Sequence, residues 1–281
     1  MHSKKSKFKL AAIAISLVMF AGCAEVATVA GYDTKSLNED SAKSYAELIS
    51  KSRASGTVDN NSAIARRVKT IFNRMLPYAD AANKTGEKFN WQLNVIRSNE
   101  VNAFAMPGGK MVVFTGIVNK LNLTDDEIAA IVGHEMTHAL EEHSKKAAGQ
   151  QIKAGGSILQ SKTGLSASTV EFYKDTLSKY GLTLPFSRHQ ENRADIGGLR
   201  LMAQAGYNPE AAVSVWQKMN KTFGSNSSTS LLSTHPSNDA RIASIQKLLP
   251  EVMPIYEQSK FRSGKVSNGS SGKKSGSKKR R

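Results

Sequence analysis

The stretch AAIVGHEMTHALEEH, residues 129–143, sets two histidines four positions apart with a glutamate directly after the first. An α-helix advances 100° per residue, so His134 and His138 lie about 40° apart on one face and one turn apart. Both imidazoles then point at a single ion. Glu135 lies about 60° from His138, near enough to reach a water held by that ion without itself being a ligand. Hydrolysis uses this arrangement: zinc lowers the pKa of its water to about 7, and a carboxylate takes the proton as the water attacks a carbonyl. The apolar run Ile128-Ala129-Ala130-Ile131-Val132 ahead of the motif predicts a buried helix. Inward-facing His134, Glu135 and His138 would need partners there, and a metal is the simplest one. A polar stripe on an ordinary helix is the competing reading.

A catalytic zinc takes three protein ligands, so the chain must supply at least one more. His143, His189, His235 and the acids near them are the candidates. His143 falls nine positions after His134, about 180° round a straight helix, and so faces away as a surface or supporting polar residue. His189 and Glu191 share the segment SRHQENRADIGG, residues 187–198. Glu191 and Asp195 are four apart on the helix predicted from Arg188 to Ala205, which lets both face the first helix. His189 reads as a helix-start residue.

HEMTH (134–138), ENRAD (191–195) and NAFAMPGG (102–109) together resemble zinc metallopeptidases of the HtpX and CAAX-prenyl-protease type, a gluzincin group, and in particular its soluble periplasmic lipoproteins. The resemblance covers roughly residues 60–250. It implies one Zn2+ per chain, held by His134, His138 and Glu191, with Glu135 as general base and Asp195 supporting a ligand histidine from behind. It also places the loop STHPSNDARI, residues 233–242, close to the zinc. By composition alone that loop is a turn into a helix, with Ser237 or Asn238 available as a cap. Near a metal, His235 has two possible roles: filling the open coordination position, or donating a hydrogen bond to the oxyanion. Arg241, one turn into the following helix, is placed to pair with Asp195 or another acid.

The net charge of +16 over 281 residues suggests nucleic acid until its distribution is read. Four lysines fall in the first nine residues and nine Lys or Arg from Lys260 to Arg281, with no Asp or Glu in either stretch. Without those thirteen the chain holds 26 basic and 23 acidic residues, about +3, which argues against a nucleic-acid-binding domain. The tail is expected to be disordered from about Ser263, and either to add salt-sensitive attachment to anionic surfaces or to be a solvated tail with no role. The head, MHSKKSKFKLAAIAISLVMFAGC, has the layout of a secretory signal, its apolar run from Leu10 to Phe20 being too short to span a bilayer. Cys23, the sole cysteine, follows Ala21-Gly22 and resembles the acylated cysteine of a bacterial lipobox, against a plain cleaved signal. A single cysteine allows no intramolecular disulfide.

Four divisions follow: a lipoprotein signal peptide (1–22), an N-terminal linker or helical segment (23–60), a metallopeptidase domain (61–258) and a disordered basic tail (259–281). The expected fold is α+β and mostly helical, zincin-like, with a small sheet beside the motif helix. Ser62 to Lys84 reads as an amphipathic helix on Ile64, Val68, Ile71 and Met75, kinked or stopped at Pro77. WQLNVIRS (91–98), VNAFAM (101–106) and KMVVFTGIV (110–118) read as strands, the last either a core strand or an exposed edge that takes an extended peptide. Thr124 and Glu127 have capping-box spacing, and the helix they start is expected to reach about Glu142. Residues 144–186 read as a Gly/Ala/Ser-rich insertion, and the last helix is expected to end near Leu249. The functional expectation is an endopeptidase lipid-anchored in the bacterial envelope, on the periplasmic face of the outer membrane, acting on unfolded or misfolded envelope proteins. The alternative is an envelope assembly chaperone with a largely blocked zinc site. A structural zinc protein fits less well, because structural sites are closed by four ligands.

Overall fold

Leu37, Tyr45, Leu48 and Ile49 recur at helical spacing in the polar segment after Cys23, and that stripe is what folds it. The computed structural model describes residues 22–153, 186–224, 229–235 and 239–269. The expected signal up to residue 21, residues 154–185 of the insertion, Pro236 with the two candidate caps after it, and residues 270–281 of the tail lie outside the described residues. Helix α1 (Cys23–Val29) is followed by α2 (Thr34–Ala54), whose cap Asp33 accepts from the Ser36 N–H. Tyr45, Leu48 and Ile49 of α2 cover one face of the sheet, against Ile96, Phe104, Met106, Val112 and Phe114. After the short strand β1 (Val58–Asp59), Ser62 caps α3 (Ala63–Ala82). The helix runs through Pro77 without stopping. Pro77 and Asn73, whose carbonyl loses its partner, face solvent, while Met75 and Ala79 on the opposite side are fully buried and hold the helix to the core.

Three further strands complete the sheet: β2 (Gln92–Ile96), β3 (Ala103–Met106) and β4 (Lys110–Phe114), in the order β1-β2-β4-β3. β3 and β4 form an antiparallel hairpin through Pro107-Gly108-Gly109, with Met106 opposite Lys110. Both glycines have φ near +75°, and a Cβ on Gly109 would meet the Trp91 ring. β4 runs parallel to β2, with Gln92 opposite Lys110 and Ile96 opposite Phe114. One expectation is corrected here, and of two readings the core strand is the one found. The segment 110–118 is strand only to Phe114, where α4 (Thr115–Lys120) begins. β4 is also interior to the sheet, so the edge on that side is β3, whose four residues are all buried.

The motif helix α5 (Asp125–Leu140) opens on the expected capping box of Thr124 and Glu127 and lies among α3, β3, α7 (Arg188–Gln204) and α8 (Ala211–Phe223). It ends earlier than its sequence suggested. Glu142 takes φ +51°, and a separate helix α6 (His143–Lys153) leaves in a new direction, packed against α1. A short helix α9 (Ser230–Thr234) buries Leu231 and Leu232, giving structure to part of a loop that reads as featureless. The last helix, α10 (Asp239–Gly269), continues well past Leu249 and past Ser263. Its Pro250 and Pro254 are exposed and four apart on the solvent side, while Ile245 and Val252 are buried. The fold is α+β and mostly helical, with a four-stranded mixed sheet beside α5.

Candidate metal centre

Two glycines bring the ligand-bearing helices together. Where α5 crosses α7, Gly133 faces Gly198, and a Cβ on Gly198 would stand 2.8 Å from the His134 backbone nitrogen. Thr137 turns its hydroxyl back onto the Gly133 carbonyl (2.8 Å), keeping the contact face smooth. With the backbones this close, Glu191 and Asp195 at the start of α7 reach the histidines of α5. Ser187 and Gln190 form a second capping box that fixes the first turn of α7.

His134, His138, Glu191 and His235 converge, each offering one ligand atom, all within 4.8 Å of one another and all buried. Nε2 of His134 lies 3.0 Å from Nε2 of His138 and 3.5 Å from Oε2 of Glu191. Nε2 of His138 lies 3.4 Å from Oε1 of Glu191. Nδ1 of His235 stands 3.2 Å from His134 Nε2 and 3.0 Å from Glu191 Oε1. Ligands about 2.0 Å from a tetrahedral ion sit about 3.3 Å from each other, and these separations scatter around that edge length. Lone pairs packed this closely repel unless a cation lies between them. The donor set of nitrogens and a carboxylate oxygen fits zinc.

Glu135 is buried beside this cluster, and among the described residues its Oε1 makes no hydrogen bond, with His235 Nε2 3.4 Å away. Burial raises its pKa, and the Ala105 N–H of the edge strand β3 faces the carboxylate and works the other way. Asp195 Oδ1 accepts from His134 Nδ1 at 2.9 Å. Burial disfavours a charge on His134, but Asp195 and Glu191 outweigh it and push the pKa up to about 9, the same preference for positive charge that holds a cation. His138 is held far below the usual histidine value, chiefly by burial. Arg241, on α10, takes Asp195 in a fork of 2.9 and 2.8 Å, approaches Glu191 through Nη1 and stacks 3.9 Å over the Trp216 ring. Burial alone would raise the Glu191 pKa; His235 and Arg241 facing it drive it far below the usual carboxylate range.

Of the candidates read from sequence, His134, Glu135, His138, Glu191, Asp195 and His235 meet in one place, and Arg241 joins them. His189 stays exposed at the start of α7, outside the cluster. His143 does not face away. The break at Glu142 swings it inward, where it is 1% exposed with Nδ1 2.8 Å from His138 Nδ1. Trp216 carried no sequence signal. Cys23 is half-buried at the start of α1.

A helix carrying two histidines and an intervening glutamate, faced by an acid on a second helix, is the layout of a single-metal site. The chain belongs to peptidase family M48, which it matches over residues 62–249. It is 38% identical over 172 residues to the mitochondrial metalloendopeptidase OMA1 of Schizosaccharomyces pombe, covering 60% of this chain and 50% of that one. Over 190 residues it is 30% identical to the metalloprotease LoiP of Escherichia coli, 66% of this chain and 71% of that one. The beta-barrel assembly-enhancing protease of Escherichia coli is 22% identical over 216 residues, 74% of this chain and 43% of that one. The chain spans about half the length of the yeast OMA1 proteins it matches, 50% in the one and 58% in the other. Among the described residues no helix is long and apolar enough to cross a membrane.

Proposed function

We propose that this chain is a zinc-dependent endopeptidase in which Glu135 is the general base. One observation carries the reading: a buried carboxylate with one oxygen free of hydrogen bonds, standing beside four convergent metal donors. His134, His138 and Glu191 would hold the ion, with Asp195 fixing His134 in the tautomer that presents Nε2. Bound there, zinc would acidify a water and polarise a substrate carbonyl. Glu135 takes the proton as the water oxygen bonds to the carbonyl carbon, and returns it to the amine as the C–N bond breaks. His235 stands at the fourth corner of the set and must withdraw for a substrate carbonyl to enter. We assign it the blocking role.

We infer further that the substrates are unfolded or misfolded envelope proteins and that Cys23 is the site of lipid anchoring, at the periplasmic face of the outer membrane. The lysine-rich head, the apolar run and the Ala-Gly-Cys sequence support this, as do the two bacterial relatives, LoiP and the beta-barrel assembly-enhancing protease. The mitochondrial relatives favour a different compartment. Incorporation of labelled palmitate into the wild type and not into Cys23→Ser decides the matter. A second reading, an assembly factor whose site stays blocked, is favoured by the place of His235 within the donor set.

The deciding experiment is cleavage of an unfolded protein by the purified chain. Cleavage that a chelator stops and zinc restores, and that Glu135→Gln abolishes while keeping its zinc, is the expected result. Zinc lost along with Glu135 would make that residue a ligand. Binding of unfolded chains without cleavage, in both the wild type and His235→Ala, would leave the assembly factor.

A further inference from the structure

The two histidines of the motif helix are supported differently. His134 gives its Nδ1 proton to the carboxylate of Asp195. Among the described residues, His138 has no carboxylate at its Nδ1. It has His143, nitrogen to nitrogen at 2.8 Å. We propose that His143 is a positioning residue for the metal ligand His138, accepting its Nδ1–H and so fixing the ring that presents Nε2 to the ion. This rests on the zinc reading above.

The proton assignment follows from which nitrogen faces the cluster. Nε2 of His138 is the atom near His134 Nε2 and Glu191 Oε1, so a ligand lone pair belongs there. A neutral imidazole with a free Nε2 carries its proton on Nδ1. At 2.8 Å one of the facing nitrogens must donate and the other accept, which leaves His143 Nδ1 as the acceptor. Ligand histidines need such an acceptor, because it sets both tautomer and ring orientation.

The backbone is bent to supply it. On a straight helix His143 would point away from His138, and the left-handed Glu142 is what turns it inward. A non-glycine residue in that conformation costs about 1 kcal/mol or more. The Glu142 side chain accepts from the Thr34 hydroxyl at 2.6 Å and lies 3.7 Å from Lys145 Nζ, contacts that offset part of the cost and tie the bend to α2. The far side of His138 is closed by Phe186, with ring centroids 4.2 Å apart.

His143 also reaches the second ligand helix. Its carbonyl accepts from Gln190 Nε2 at 3.1 Å, and Gln190, directly before Glu191, accepts the Ser187 N–H through Oε1 at 2.9 Å. One residue thus braces His138 with its side chain and the first turn of α7 with its backbone. A neutral acceptor suits the place: Glu135, Glu191 and Asp195 are already buried at this centre, and a neutral ring adds no fourth negative charge.

Zinc affinity, measured by competition with a chromophoric chelator, separates positioning from filling. His143→Leu keeps the volume and removes the acceptor; His143→Gln keeps an acceptor oxygen and the backbone contact. The expected result is a 10- to 100-fold loss of zinc affinity for leucine and only a few-fold loss for glutamine, with equal thermal unfolding of the two metal-free variants and an unchanged KM. Leucine binding zinc as tightly as the wild type, or glutamine losing as much as leucine, overturns the proposal. A readout without variants covers the case in which one of them misfolds. In the 15N-labelled zinc protein a scalar coupling should cross the Nδ1–H···Nδ1 bond between His138 and His143, and its absence would also overturn the proposal. A wild type that binds no zinc would instead remove the metal reading itself.

Discussion

Gly198→Ala adds one methyl group where α7 touches α5, and the structure sets what that methyl must do. Its carbon would lie 2.8 Å from the His134 backbone nitrogen and 3.0 Å from the carbonyl carbon of Gly133 and the Cα of His134. Ordinary contacts of this kind begin near 3.4 Å, so the helices must part by about 0.5 Å, and neither neighbour is a side chain that can swing aside. Asp195 sits on α7 one turn earlier. Its 2.9 Å contact with His134 Nδ1 would lengthen to about 3.4 Å, beyond the usual 2.7–3.2 Å of such a bond. Overpacking costs about 1–3 kcal/mol, against a gain of about 1 kcal/mol from replacing a helical glycine by alanine. The net loss is about 0–2 kcal/mol, a fall in Tm of at most about 8 °C for a domain of this size. Zinc affinity should fall further, by roughly tenfold or more, because the support of His134 is loosened. Calorimetry of the metal-free protein reads the first effect and chelator competition the second. A Tm raised by the propensity gain, with zinc affinity unchanged, would refute the close-approach reasoning.

Three other outcomes are expected. Glu191→Ala should weaken zinc binding strongly while His189→Ala leaves it intact, since the first residue stands in the donor set and the second in solvent; equal zinc content at limiting metal would remove Glu191 from the ligands. His235→Ala should raise basal cleavage of an unfolded substrate if the histidine holds the fourth corner, and reduced turnover with zinc retained would make it an oxyanion donor instead. Glu127 accepts from the Thr124 N–H, from Ser214 and from Lys218. Burial pushes its pKa up, but these partners outweigh burial and hold it below the usual 4.5. The stability it supplies is therefore present above pH 4.5 and is lost as pH falls through the lower folded value. Glu127→Gln should cost about 1–2 kcal/mol at pH 7 and flatten the acid limb of a Tm-against-pH curve, and an unchanged slope would contradict the assignment.

What the sequence announced and what it hid divide along physical lines. Caps are local, so Thr124 with Glu127 and Ser62 are readable from spacing alone. The donor residues are readable because metal chemistry restricts residue type and spacing together. The break after Leu140 is not, because Glu142 is no obvious helix stop; it is stabilised from Thr34, 108 positions away. The inward place of His143 was lost with it. Strand neighbours were hidden for a related reason: periodicity marks strands but not the parallel pairing that sets β2 beside β4 and leaves β3 at the edge. Prolines 77, 250 and 254 are poor guides to helix ends here because each lies on a solvent-facing side. Arg241 could be assigned a nearby acid from the motif, but its stack on Trp216 depends on α8 and α10 meeting in space.

His134 and His235 touch through their ring nitrogens although 101 positions separate them, and Arg241 reaches Asp195 across 46. A chain emerging in order from a ribosome or a translocation pore therefore exposes HEMTH long before the acid at 191 and the arginine at 241 exist to complete the set. Until then the chain holds the motif without the acids and the arginine that the folded site sets against it. The donor set is thus assembled in stages, with the histidines of α5 made first and the residues that face them last.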